Sequence, residues 1–173
     1  MIFIDLDNFK EVNDRCGHPT GDRCLERVVE LIGSVVIKKG RLYRYGSGDE
    51  FVALLPNFEI FEAKATGERI RKAIEDGNPG EGIKVTASIG IVSSDQLQMA
   101  DPKMLLKAAD QAMYSAKNSG KNQVRIWKEQ EGSLKGDLAV AAEPPAAGVA
   151  IDPPERGILR DKDFDQRYRQ WFG

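Results

Sequence analysis

The stretch RLYRYGSGDEFVALL, residues 41–55, decides the fold because it places two apolar segments on either side of a glycine-containing turn. Residues 41–45 and 51–55 have the length and composition of β-strands. The residues between them, 46–50, are few enough to form a hairpin loop. The pattern therefore predicts two antiparallel strands that are neighbours in a sheet, and the other elements have to be arranged around this pair.

Strands and helices alternate on both sides of this hairpin. The apolar run over 1–4 predicts a first strand, and apolar residues at helical spacing predict a helix over 22–36, with a loop between the two. Behind the hairpin the pattern predicts a helix over 60–74, a strand over 85–91, a helix from 102 to about 119 and a short strand over 124–127. The order contains a βαββαβ core, which is the ferredoxin-like arrangement of an α+β fold (an α/β sandwich), with helices backing a sheet that contains antiparallel strands.

The composition changes sharply near residue 131. Alanine and proline dominate the following stretch, and large apolar residues are almost absent from it. Near the C-terminus, aromatic residues return at the spacing of one helical face: Phe164, Tyr168, Trp171 and Phe172. We therefore expect a domain over 1–130, a linker over 131–157 and an amphipathic helix over 158–173.

The overall composition excludes several classes of protein. The 173 residues are 41% hydrophobic and 30% charged, as in globular proteins, and a net charge of −2 gives no general attraction to nucleic acid. No apolar run approaches the ~18 residues of a membrane span, and the first run is too short for a signal peptide, so we expect a cytoplasmic protein. Cys16 and Cys24 lack the spacing of a zinc site and are expected to be reduced, buried thiols.

Acidic residues cluster around the first strand and the hairpin turn. Asp5 and Asp7 end the first strand, and Asp49 and Glu50 lie in the turn. If these strands are neighbours, their carboxylates converge at one edge of the sheet, where hard oxygen ligands suit Mg²⁺ or Mn²⁺ with phosphate as a further ligand. The cluster predicts a two-metal phosphoryl-transfer centre. The alternative is that each acid is a solvated turn residue.

Basic and amide side chains provide candidates for binding a nucleotide. Lys10, Lys117 and Lys121 could neutralise phosphate oxygens, although isolated lysines usually lie on a solvated face. A carboxylate such as Asp22 can accept hydrogen bonds from guanine N1–H and N2–H, and an amide such as Asn13 can both donate to the base and accept from it. The alternative for Asp22 is an acid at the start of the helix over 22–36, where it suits the helix dipole.

Four motifs together resemble one known family. They are DLDNFKEVND over 5–14 with the glycines and Asp22 that follow, GDEF over 48–51, ASIGI over 87–91, and ADQAMYSAKNSGKN over 109–122. In this order they resemble the motifs of GGDEF-domain diguanylate cyclases, and the resemblance covers residues 1 to about 127. It implies a polymerase-palm fold of the ferredoxin-like type.

The resemblance implies a nucleotidyltransferase that condenses two GTP into the signalling molecule cyclic di-GMP and releases pyrophosphate, with one GTP on each subunit of a homodimer. Asp5, the carbonyl of Leu6 and Asp49 would hold the metal, Mg²⁺ or Mn²⁺. Glu50 would bind a second metal or help to deprotonate the attacking 3′-hydroxyl. The resemblance also implies a substrate-binding set, in which Asn13 and Asp22 recognise guanine and the phosphates are held by backbone N–H groups near Asn8 and Phe9 and by Lys10, Lys117 and Lys121.

Two departures from the family pattern leave alternatives open. The signature RYGSGDEF has one residue more than the usual form, with Ser47 in place of a glycine, and the extra residue could be absorbed as a bulge. An alternative function is therefore a catalytically inactive GTP-binding regulatory module. The chain also begins at the first metal-bearing strand, which indicates either an upstream sensor domain or partner, or coverage of the exposed surface by the segment 164–172. A palm domain acting on nucleic acid is a third, disfavoured alternative.

Overall fold

The structure is a computed structural model that describes residues 1–37, 39–46, 48–97 and 101–128 and the backbone of a strand over 149–151. Within these residues it contains six strands, four α-helices and one short 3₁₀ helix at Ser94–Gln96. In chain order the strands and α-helices are β1 Ile2–Asp7, α1 Phe9–Cys16, α2 His18–Val36, β2 Arg41–Tyr45, β3 Glu50–Leu54, α3 Ile60–Gly77, β4 Thr86–Ile91, α4 Pro102–Asn118, β5 Val124–Ile126 and β6 Val149–Ile151.

The strands form one sheet in the order β5-β4-β1-β3-β2-β6. Only the β4–β5 pair is parallel among these strands, and the predicted hairpin of β2 and β3 is present. β1 lies in the middle of the sheet between β3 and β4, and all six of its residues are buried. The α+β, ferredoxin-like arrangement predicted from the sequence is therefore confirmed.

The helices cover both faces of the sheet. One core contains Ile2 and Ile4 of β1 together with apolar residues of α2 and α3, and a second core contains Phe3 of β1 and the apolar face of α4. Because side chains alternate along a strand, Asp5 and Asp7 point to the same side as Phe3, the side of α4. The fold thus directs the acids of β1 towards α4.

Three parts of the observed structure differ from the predictions. Residues 9–16, predicted as a loop, form α1, which buries only Phe9 and Val12 and so has too few apolar residues for a visible periodic pattern. Helix α2 begins at His18, so Asp22 is not in its first turn. A short strand, β6, lies inside the range predicted as a linker and pairs with β2.

Other predictions have mixed outcomes. Cys24 is buried, but Cys16 is exposed at the end of α1, so the prediction of two buried thiols is wrong for Cys16. No helix among the described residues is long and apolar enough to cross a membrane. The proposed division at residues 131 and 158 stays a prediction, and the amphipathic segment 164–172 lies outside the described residues.

Candidate active site

Carboxylates of β1 and β3 meet at one edge of the sheet. Asp5 and Glu50 are direct partners in the antiparallel β1–β3 ladder. One step further along, the backbone N–H of Leu6 donates to the carbonyl of Asp49 at 3.2 Å. The register therefore brings Asp5, Asp49 and Glu50 together, as expected if the two strands are neighbours.

Asp5 is the most buried of these acids, with 5% of its surface exposed. Its Oδ1 lies 2.6 Å from Nζ of Lys117, which α4 places over this face of the sheet, and it has no aligned hydrogen-bond donor among the described residues. Burial raises the pKa of Asp5, and the contact with Lys117 offsets only part of that effect. Burial also opposes the charge of Lys117, but the contact with Asp5 and the charges of Asp49 and Asp7 together outweigh it and raise the pKa of Lys117.

Glu50 has a raised pKa for a related reason. Burial is the main cause, and the negative charge of Asp5 adds to it. A bound cation stabilises a carboxylate cluster of this kind, because it removes the repulsion among the acids. The described residues contain no group of three or more acidic, histidine or cysteine side chains arranged around a common metal position. The donor set nevertheless fits Mg²⁺, which binds one or two carboxylates and keeps water and substrate phosphate as its other ligands.

A cavity of about 610 Å³ opens beside this cluster. Seven of the residues predicted for the site line it, namely Leu6, Asn8, Phe9, Lys10, Asp49, Lys117 and Lys121. Three further residues of α1 also line it, Glu11, Asp14 and Arg15, which were not predicted as site residues. The cavity therefore has three acidic residues and three lysines on its walls, and the lysines come from three parts of the chain.

The N-terminus of α1 forms part of this cavity. Asn8 precedes the helix in the left-handed conformation, with φ of 66°, and its carbonyl accepts the N–H of Glu11 at 3.0 Å. Phe9 packs its side chain into the core, while Phe9 and Lys10 supply the first backbone N–H groups of the helix, which have no acceptor within the helix. Such N–H groups favour a bound anion.

Asn8 also connects the end of β1 to the loop that follows α4. Its Oδ1 accepts from Nζ of Lys121 at 3.0 Å, and its Nδ2 donates to the carbonyl of Lys84 at 3.1 Å. Lys121 is thereby held over the N-terminus of α1. Lys117 and Lys121 thus face the same cavity although they belong to different elements, a helix and a loop.

The two residues predicted to recognise guanine do not line this cavity. Asn13 is half-buried in α1, and Asp22 is exposed on α2. The amide of Asn13 is packed against Gly21, where an added Cβ would lie 1.9 Å from Oδ1 of Asn13. The place occupied by this amide therefore exists only because residue 21 has no side chain.

Asp7 is fully engaged by hydrogen bonds within the protein. It accepts from the hydroxyls of Thr86 and Ser88 at 2.7 and 2.8 Å, and from the backbone N–H of Asn122 at 3.0 Å. Asp7 is 1% exposed, so these donors satisfy a buried carboxylate. Of the two acids predicted at the end of β1, Asp5 therefore belongs to the cluster and Asp7 holds neighbouring structure in place.

The hairpin accommodates its extra residue in the loop. The β2–β3 ladder is continuous from the Arg41 and Leu54 pair to the Tyr45 and Glu50 pair, so no bulge interrupts it. The side chain of Arg44 in β2 reaches the loop, where its Nε donates to the carbonyl of Gly48 at 2.9 Å. Ser47 itself lies outside the described residues.

The sheet order, the acidic edge and the lysine-lined cavity define an α+β domain of the palm class. Comparison with known protein families identifies the family. Residues 1–123 match the family described as the diguanylate cyclase GGDEF domain, and the chain belongs to that family.

Individual relatives agree with this assignment. The chain is 40% identical over 131 residues to diguanylate cyclase A of Treponema denticola, a match covering 74% of this chain and 35% of the relative. It is also 40% identical over 131 residues to the probable diguanylate cyclase DgcT of Escherichia coli, covering 73% and 28%. The chain thus spans about a third of the length of these curated relatives.

Solved structures show the same fold. The active GGEEF domain of a diguanylate cyclase from Vibrio cholerae superimposes with a TM-score of 0.66 and 31% identity, covering 75% of this chain and 82% of that domain. The coiled coil and GGDEF domain of DgcB from Caulobacter crescentus, in complex with c-di-GMP, superimposes with a TM-score of 0.63 and 26% identity, covering 72% of this chain and 67% of that one.

Proposed function

We propose that this chain is the catalytic domain of a diguanylate cyclase, which condenses two GTP into cyclic di-GMP and pyrophosphate. The observation that carries the proposal is the acidic edge formed by Asp5, Asp49 and Glu50 beside a cavity of about 610 Å³ lined by lysines. Acids and lysines around one cavity suit a substrate that brings both phosphate charge and a bound cation.

The acidic edge would hold the divalent cation, Mg²⁺ or Mn²⁺, through Asp5, the carbonyl of Leu6 and Asp49. When bound, the cation would stabilise the negative charge that develops on the phosphate oxygens. Glu50, the ladder partner of Asp5, would help to remove the proton of the attacking 3′-hydroxyl.

The lysines of the cavity and the start of α1 would bind the triphosphate. Lys117 and Lys121 face it, and the backbone N–H groups of Phe9 and Lys10 at the start of α1 would contact phosphate oxygens. In this proposal Asn13 and Asp22 recognise guanine outside the cavity, with the nucleotide extending along α1. Adenine presents an acceptor to Asp22 where guanine presents donors, so we expect a preference for GTP.

The reaction would require two copies of the chain. Each copy binds one GTP, and closure of an antiparallel homodimer aligns the 3′-oxygen of one nucleotide with the α-phosphate of the other. Product formation should therefore depend more steeply than linearly on enzyme concentration while dimers are scarce. We place this activity in the cytoplasm, where its substrate GTP is available.

The direct test is incubation of the purified protein with GTP and Mg²⁺ over a range of protein concentrations, followed by mass spectrometry of the products. We expect cyclic di-GMP and pyrophosphate from GTP and no cyclic dinucleotide from ATP. Glu50→Gln is the matched control, since it keeps the size of the side chain while removing its charge. The absence of cyclic di-GMP at every protein concentration would reject the catalytic proposal.

A second function is supported by the loop of the hairpin. The extra residue lies between the last paired residues, Tyr45 and Glu50, in the loop that carries Asp49 into the site. If the longer loop keeps Asp49 from its catalytic position, the domain would bind GTP without converting it and act as a regulatory module. That function predicts GTP binding that is lost in Asp22→Ala, with the nucleotide recovered unchanged after long incubation.

A further inference from the structure

We infer that Asn122 is a positioning residue for the phosphate-binding loop, because it ties the residue next to Lys121 to both β1 and α3. The inference rests on the proposed function, since it concerns how Lys121 is held at the triphosphate. The family motif implies no role for Asn122, and its contacts supply one.

The loop after α4 has an unfavourable backbone conformation. Gly120, Lys121 and Asn122 have positive φ values of 110°, 61° and 45° in succession. Glycine adopts positive φ values freely. A residue with a Cβ adopts them at a cost in free energy, which is smaller for asparagine than for most residues. A loop of this shape persists only when contacts from outside it compensate.

Asn122 makes those outside contacts with both its backbone and its side chain. Its N–H donates to Oδ2 of Asp7 at 3.0 Å. Its Nδ2 donates to Oε1 of Glu75 at 2.9 Å, and its Oδ1 accepts from Nη1 of Arg71 at 3.0 Å. Arg71 and Glu75 also form an ion pair at 2.8 Å, so the amide docks on a preassembled pair of charged groups on α3.

Asp7 makes this attachment rigid. Its carboxylate is held by two hydroxyls of β4, so the N–H of Asn122 donates to a buried acceptor that cannot turn away. This backbone bond anchors one point of the loop to β1, the strand that carries Asp5, and the side-chain contacts with Glu75 and Arg71 are needed as well to hold Lys121 in place. The side chain of Lys121 then reaches Asn8, 3.0 Å away, at the start of α1.

Lys117 provides an internal reference for this inference. It belongs to α4 itself and contacts Asp5, so its position does not require the loop. Loss of the Asn122 side chain should therefore remove the contribution of Lys121 to triphosphate binding and leave that of Lys117. The binding energy lost should be that of one phosphate contact.

The test measures binding of GTP and GMP by calorimetry to the parent and to Asn122→Ala, Asn122→Gly and Lys121→Ala, with Ca²⁺ replacing Mg²⁺ to prevent turnover. We expect all three variants to weaken GTP binding roughly tenfold, the value of one charge-assisted hydrogen bond, and to leave GMP binding within about twofold. Asn122→Gly matters because glycine accepts the left-handed backbone, so only the side-chain contacts are lost. The double variant Lys121→Ala with Asn122→Gly should bind GTP no more weakly than Lys121→Ala.

Asn78→Ala is the matched control, because Asn78 is also left-handed, with φ of 41°, and caps the C-terminal end of α3, three residues beyond Glu75, in an exposed position. It should bind GTP as the parent does. Parent-like GTP binding by Asn122→Gly, beside weakened binding by Lys121→Ala, would overturn the inference and leave the proposed function intact. Parent-like binding by Lys121→Ala itself would overturn the inference together with the proposed phosphate role of that lysine. Equal weakening of GTP and GMP in Asn122→Gly would indicate general damage and also overturn it.

Discussion

Replacement of Gly21 by alanine tests the proposed recognition of guanine without removing any polar group. Gly21 lies in α2, and a Cβ added there would sit 1.9 Å from Oδ1 and 3.0 Å from Cγ of Asn13. The atom it meets is the end of a flexible side chain, so Asn13 can turn away while both helices stay in place. The substitution should therefore displace the amide that we assign to guanine and leave the fold intact.

The size of the effect follows from the distances. A carbon and an oxygen in ordinary contact are about 3.4 Å apart, so Oδ1 has to retreat by about 1.5 Å, which takes a hydrogen bond of about 2.9 Å beyond its useful range. Loss of such a bond to the base costs about 0.5–1.5 kcal/mol, equivalent to about a 2- to 12-fold rise in the Kd for GTP. Stability should be unchanged or higher by up to about 1 kcal/mol, since alanine favours helix.

A double-mutant cycle separates this effect from any other. We would measure the Kd of GTP and ATP for the parent, Gly21→Ala, Asn13→Ala and the double variant. Gly21→Ala should weaken GTP binding only while Asn13 is present and should leave ATP unaffected. Gly33→Ala is the matched control, because it makes the same change in the same helix where a Cβ would meet nothing within 4 Å. Parent-like GTP binding by Gly21→Ala, or equal weakening with and without Asn13, would refute the reasoning.

Two further predictions concern packing and thiol chemistry. Gly90→Ala should destabilise the domain by about 3 kcal/mol in urea unfolding, because its Cβ would lie 2.0 and 2.3 Å from backbone atoms of α4, while Gly33→Ala should not destabilise it; equal unfolding midpoints would contradict this packing. At pH 8 a thiol reagent should modify Cys16 quickly and Cys24 only after denaturation, because burial raises the pKa of Cys24 to about 11 and keeps the thiolate rare; rapid modification of two thiols in the folded protein would contradict it.

The fold was largely predictable from the sequence because most of its elements carry a strong periodic signal. The hairpin over 41–55 and the strand over 86–91 have the composition of strands. Helix α4 has both an apolar face and a cap, in which the side chain of Asp101 accepts from the N–H of Lys103 at 2.9 Å. α1 was missed because a helix of eight residues with two buried side chains has little periodicity to detect. β6 was missed because its pairing with β2 is a tertiary contact in a segment of low-complexity composition.

The candidate site divides into a part with local signals and a part without them. Asp5, Asp49 and Glu50 stand at strand ends next to turns, where sequence alone suggests an acidic edge once the strands are taken as neighbours. Lys117 and Lys121 carried only a weak signal of their own, because a lysine near a helix end is usually solvated, and the family motif strengthened it. Lys117 and Lys121 face the same cavity because α4 crosses the face of the sheet on which Asp5 lies.

The contacts of Asp7 could not be predicted from any single motif, because its partners lie far away in sequence. Thr86 and Ser88 are 79 and 81 residues from Asp7, and Asn122 is 115 residues from it. The hydroxyls of Thr86 and Ser88 face Asp7 only because the β1–β4 register pairs Asp7 with Thr86 and Asp5 with Ser88. A one-residue shift of that register would turn both hydroxyls to the other face of the sheet. The support of the phosphate-binding loop therefore depends on the β1–β4 register. The two acids of β1 consequently have different roles: Asp5 lies in the carboxylate cluster, and Asp7 accepts the backbone N–H of Asn122.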